Sequence, residues 1–66
     1  MNITVNGKLL DVQHGITVQH LLHELELGDE RIAVEYNKRI LETQEYPSVL
    51  IEEGATVEVV RFVGGG

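Results

Sequence analysis

Thr56-Val57-Glu58-Val59-Val60-Arg61-Phe62-Val63-Gly64-Gly65-Gly66 passes from a strand-forming segment straight into three glycines. β-branched and aromatic residues dominate the first eight positions, and alternation places Val57 and Val59 on one face and Glu58, Val60 and Phe62 on the other. Glycine cannot extend such a strand with profit: it has no side chain to pack and loses the most backbone freedom on ordering. The final residues are expected to project as a slender string. At full stretch three residues reach roughly 10 Å, and without Cβ atoms they fit a channel closed to any substituted residue. Gly66 carries the α-carboxylate at the tip, so one reading is a terminus presented to a partner as a reactant. A frayed end or a glycine linker has the same composition.

Working back from that strand, Glu53-Gly54 reads as the turn that precedes it, and Pro47 interrupts an irregular stretch holding the short apolar run Val49-Leu50-Ile51. Ile32, Val34 and Tyr36 alternate with Ala33 and Glu35 as another strand, which turns at Asn37-Lys38 towards Ile40 and Leu41. Thr17 is placed to cap a helix over 18–26, whose Val18, Leu21, Leu22 and Leu25 fall at i, i+3, i+4 and i+7. Gly28 is expected to end that helix in the left-handed conformation. At the start of the chain Met1, Ile3 and Val5 alternate with Asn2, Thr4 and Asn6. Asn6-Gly7 supplies a hairpin turn, and 8–12 forms the return strand with Leu10 and Val12 inward. The sum is an α+β domain over 1–63, a mixed sheet gripping one amphipathic helix, followed by a flexible tail over 64–66.

Composition narrows the function. At 66 residues the chain is one small domain; such a domain buries only about 60% of its unfolded surface and has little room for an enclosed active site. It contains no cysteine, which removes disulfides and thiolate chemistry on the chain. Eleven acidic against five basic residues give a net charge of −6, which repels nucleic acid and anionic membranes and favours a protein partner with a positive surface. No apolar run approaches the roughly 20 residues that span a bilayer, and residues 1–6 lack the pattern of a leader. A cytoplasmic location is expected.

Other candidate sites are weak. His20 and His23 lie three apart on the helix, opposite its leucine stripe, but two imidazoles without further ligands fall short of the four that structural zinc requires. No metal site is expected. His14 has no Ser or Cys nucleophile to serve, Glu52-Glu53 reads as a solvated turn, and the glycine run lacks the Lys and Ser/Thr of a phosphate loop. Val60 and Phe62, apolar on the outer sheet face just before the tail, are the candidate docking residues, because aromatic side chains concentrate interface energy. Ordinary packing of Phe62 over the sheet edge is the competing explanation. The chain is not expected to be an enzyme by itself.

The order hairpin, helix, strands and terminal Gly-Gly resembles the ubiquitin-like β-grasp fold. Three phrases, Ile3-Thr4-Val5-Asn6-Gly7, Arg31-Ile32-Ala33-Val34-Glu35-Tyr36-Asn37 and Gly54 through Gly66, make the chain similar to the ThiS family of thiamine-pathway sulfur carriers. The Gly-Gly end is shared with ubiquitin-like modifiers and with the molybdopterin carrier family MoaD, so a molybdopterin-type carrier, a modifier or an interaction module without sulfur chemistry are the alternatives. Lys38 stands where that family often has a small turn residue, and the tail has a third glycine. The resemblance implies that a ubiquitin-activating-like adenylyltransferase (ThiF-like) threads Gly64, Gly65 and Gly66 towards its own ATP and Mg²⁺ and adenylates the Gly66 carboxylate. A sulfur-donor protein then supplies sulfur, and a thiazole synthase (ThiG-like) accepts it from Gly66. The carrier itself binds no cofactor in this scheme.

Overall fold

The computed structural model of the chain describes residues 1–28 and 30–62. The elements run β1 (Asn2–Val5), β2 (Lys8–Asp11), α1 (Val18–Glu24), β3 (Ile32–Tyr36), β4 (Arg39–Leu41), a 3₁₀ turn (Thr43–Glu45) and β5 (Thr56–Arg61). They form the expected mixed sheet on one helix, in the order β2-β1-β5-β3-β4. β5 is central, parallel to β1 through Thr4↔Thr56 and Val5↔Val57, and antiparallel to β3 from Ile32↔Arg61 to Tyr36↔Val57.

Both hairpins turn as their sequences require. Asn6 and Gly7 have φ of 50° and 83°, and Asn37 and Lys38 have 47° and 71°, the paired positive φ of a type I′ turn. Lys38 therefore occupies a position at which a side chain is strained.

The core lies between helix and sheet. Ile3, Val34, Val57 and Val59 from the sheet meet Val18, Leu21 and Leu22 from α1, all buried. Each such side chain is worth about 1.5–3 kcal/mol on burial, so the 18/21/22 stripe is what fixes the helix to the sheet. Tyr46 and Ile51 join this core from a stretch that has no regular period in sequence. Their segment also completes the helix start: Val18 N–H donates to Val49 O at 2.9 Å and Gln19 N–H to Tyr46 O at 3.0 Å. His20 N–H donates to Thr17 Oγ1 at 3.1 Å. Three of the first-turn donors that a helix leaves orphaned are thus satisfied.

The helix end departs from expectation. α1 stops at Glu24, and Glu26, not Gly28, takes the left-handed conformation, with φ of 60°. Leu27 N–H donates to Leu22 O at 2.8 Å and Glu26 N–H to His23 O at 3.0 Å, the paired bonds of a Schellman motif. The competing pull is the half-buried Leu27, which packs on the core and requires the chain to turn two residues early. Gly28 lies close under the His23 ring: a Cβ there would stand 2.8 Å from His23 Cδ2, and the ring would have to shift.

The 3₁₀ turn is tied by Glu45, whose carboxylate accepts from Glu42 N–H at 2.9 Å and from Arg39 Nη1 at 3.0 Å. The backbone donor first, and the guanidinium second, hold this carboxyl below the usual carboxylate range. A carboxyl with a depressed folded-state pKa stabilises the fold above its unfolded value, and loses that contribution as pH falls through the folded one. The stability gap between wild type and Glu45→Gln should therefore be largest near neutrality and shrink through the acid range. Denaturant titrations at a series of pH values check this, and a pH-independent gap would contradict it.

Candidate functional site

The candidate site is built where β5 leaves the sheet. Asn6 sets the first constraint. β1 ends at Val5, yet Asn6 continues its pairing through the side chain: Val59 N–H donates to Oδ1 at 2.7 Å, and Nδ2 donates to Val59 O at 3.2 Å. At the other end of β5, Thr56 N–H donates to Asn37 Oδ1 at 2.8 Å. The two turn asparagines thus bracket β5. In sequence they read only as turn residues, because the partners of Asn6 lie 53 positions away.

Among the described residues, the β1 side of β5 has no ladder beyond Val59, and the strand is held by β3. Ala33 pairs with Val60 and Ile32 with Arg61. Phe62 N–H then donates to Arg31 O at 2.9 Å. The Arg61 guanidinium grips Glu30, with Nε to Oε1 at 3.0 Å and Nη2 to Oε2 at 3.1 Å.

Val60 and Phe62 are both exposed, at 56% and 58%, as a docking role requires. They do not form one patch. Val60 borders a shallow hollow of about 270 Å³ on the outer sheet face with Ala33, Glu35, Ile40 and Glu58. Phe62 borders a separate cleft of about 560 Å³ with Leu22, His23, Gly28 and Tyr46, towards the helix. Strict alternation would put both on the outer face. It holds only within the ladder, which ends at Arg61.

The outer face has its own chemistry. Glu35 and Glu58 stand directly opposite each other, a like-charge pairing that costs a sheet some stability. Framed by exposed Ile40 and Val60, the two carboxylates suit a partner surface carrying apolar groups around a cation. Arg39 and Arg61 are engaged with Glu45 and Glu30 and do not neutralise this face. His20 and His23 are both exposed; the first accepts from Thr17 N–H through Nδ1 at 3.4 Å, completing the capping box, and the second covers Gly28. Among the described residues no group of three potential ligands could hold a metal ion, and no helix is long and apolar enough to cross a membrane. Val63 and the glycines Gly64, Gly65 and Gly66 lie outside the described residues.

The ThiS family profile matches residues 3–66. The crystal structure of the thiamine biosynthesis protein ThiS from Geobacter metallireducens superposes with a TM-score of 0.85, at 35% identity over the whole of both chains. The sulfur carrier protein ThiS of Bacillus subtilis is 38% identical over 50 residues, 76% of each chain. A thiazole synthase of Magnetococcus marinus is 38% identical over all 66 residues, which make up 20% of its length. The fold is accordingly that of a ubiquitin-like β-grasp domain, and the chain belongs to the ThiS family.

Proposed function

We propose that the chain is the sulfur carrier of thiamine thiazole formation, acting in the cytoplasm through the Gly66 carboxylate. The observation that carries this reading is that the family match extends to residue 66 and so includes the terminal glycines. The Magnetococcus relative supports the choice of acceptor, since a domain like this one is there part of a thiazole synthase.

A free carboxylate is a poor acyl donor, because a nucleophile would have to approach a group already negative and expel oxide. In the proposed sequence a carboxylate oxygen of Gly66 attacks the α-phosphorus of ATP held with Mg²⁺ by a ubiquitin-activating-like adenylyltransferase. Pyrophosphate leaves and an acyl-adenylate forms. The terminal sulfur of a donor protein's persulfide attacks the acyl carbon and AMP departs. A thiol then reduces the resulting acyl disulfide, giving the thiocarboxylate and a disulfide. Thiazole synthase takes the sulfur. The carrier supplies the acyl group, the narrow approach of Gly64 and Gly65, and docking through Val60 and Phe62. It contributes no general acid or base, and binds neither ATP nor metal itself.

Intact-protein mass spectrometry tests this directly. After incubation with the adenylyltransferase, ATP, Mg²⁺, a persulfide donor and a thiol, the mass should change by replacement of one oxygen with sulfur. An unchanged mass under conditions where the enzyme turns over a known carrier would leave only an interaction module. In the same assay Val60→Asp and Phe62→Ala should slow loading without lowering the melting temperature appreciably, as expected of exposed positions.

A further inference from the structure

We propose that Glu30 and Arg61 form a positioning clamp that aims the residues after Phe62, and that neither side chain meets the partner's reacting groups. The inference rests on the carrier reading above and assigns a role to residues which that reading leaves unused.

The need for a clamp follows from the ladder. From Thr56 to Val59 the strand is held from two sides, by β1 with the Asn6 amide and by β3. Among the described residues, Val60 and Arg61 are held in the ladder by β3 alone, and Phe62 by Arg31. A strand end bonded along one side can swing about that side. Gly66 lies four residues beyond Phe62, up to about 14 Å of chain, so the direction in which β5 ends sets which part of a partner the terminus can reach. Acyl transfer tolerates little misdirection: a misplacement of about 1 Å can cost about 100-fold.

The fork removes that freedom. Arg61 presents two nitrogens to Glu30 at 3.0 and 3.1 Å, a planar arrangement that resists rotation in a way one contact cannot. Its other end is anchored. Glu30 N–H donates to Leu27 O at 3.1 Å, Leu27 packs on the core, and the Schellman bonds tie Leu27 to Leu22 of the helix. The direction of β5 is thereby referred to α1 as well as to β3. The pair is open to solvent, with side chains 60% and 39% exposed, so it adds little to global stability and its removal leaves the fold intact.

The test compares Glu30→Gln, Arg61→Gln, the double variant and the exchanged pair Glu30→Arg with Arg61→Glu. The readouts are carrier-dependent ATP–pyrophosphate exchange by the purified adenylyltransferase and amide hydrogen exchange at Phe62. Each single variant should lower kcat for exchange about tenfold with little change in KM, because the outer face is untouched, and should speed amide exchange at Phe62. The double variant should be no slower than either single one, and the exchanged pair should recover most of the rate. Loss on Arg61→Gln alone, with Glu30→Gln at the wild-type rate, would make Arg61 a direct partner contact and overturn the clamp. Wild-type rates throughout, or an exchanged pair that recovers nothing, would overturn it as well. A wild-type chain that supports no pyrophosphate exchange would overturn the carrier reading and the clamp's purpose with it.

Discussion

Removing Gly65 and Gly66 should abolish sulfur loading while leaving the melting temperature within about 3 °C of wild type. The chemical half of this expectation is a matter of reach. A chain shortened by two residues ends on Gly64, which is still a carboxylate but stands about 7 Å short of the original tip. Reaction requires the attacking oxygen within about 3–3.5 Å of its target, so the truncated terminus waits outside contact distance of the α-phosphorus. The stability half follows from the core. Its buried cluster extends along β5 only to Val59, and the last backbone bond of the described strand end is the one from Phe62 to Arg31. Glycines have no side-chain area to add to that cluster. Intact-mass analysis of loading and a thermal melt of the same sample decide both halves. Loading at the wild-type rate would place the reacting group elsewhere, and a fall of more than about 10 °C would make the glycines part of the fold.

What the sequence shows and hides follows the range of the forces involved. The Asn6-Gly7 turn, the Thr17 cap and the Val18/Leu21/Leu22 stripe are encoded within a few residues of each other, and each appears where the local pattern puts it. The end of the helix was less legible, because two local signals compete there: Gly28 has the better backbone for a left-handed stop, but burial of Leu27 decides that Glu26 takes it. Tyr46 gives no periodic signal and becomes core because the 3₁₀ turn brings that segment to the helix start, where the Tyr46 carbonyl accepts from Gln19 N–H. At the candidate site, the exposure of Val60 and Phe62 was readable from alternation. Their separation into two hollows was not, since it depends on where the β3 ladder stops. The Asn6 bridge to Val59 and the Glu30–Arg61 fork join residues 53 and 31 positions apart, and no one-dimensional pattern announces them.

The largest expected loss of stability comes from Leu21→Ala. Leu21 is fully buried in the middle of the helix stripe, in the same core as Val34, Val57, Tyr46 and Ile51. Alanine is at least as good a helix former as leucine, so the substitution leaves the helix's own preference intact and isolates packing. Leucine-to-alanine changes at such sites cost about 3–5 kcal/mol, the removed methyl groups and the remaining cavity both contributing. A 66-residue domain has roughly 3–10 kcal/mol in all, so the variant should melt at least about 15 °C lower or be largely unfolded at ambient temperature. Val60→Ala, on the same sheet but exposed, should stay within about 0.5 kcal/mol of wild type and serves as the control. Denaturant unfolding followed by circular dichroism separates the two. A cost below about 1 kcal/mol at Leu21 would mean that the helix is not what the sheet is folded around. The consequence for function is direct: β5 is buried through Val57 and Val59 against that helix, and a strand released from its core can no longer hold its end, or anything beyond it, in one direction.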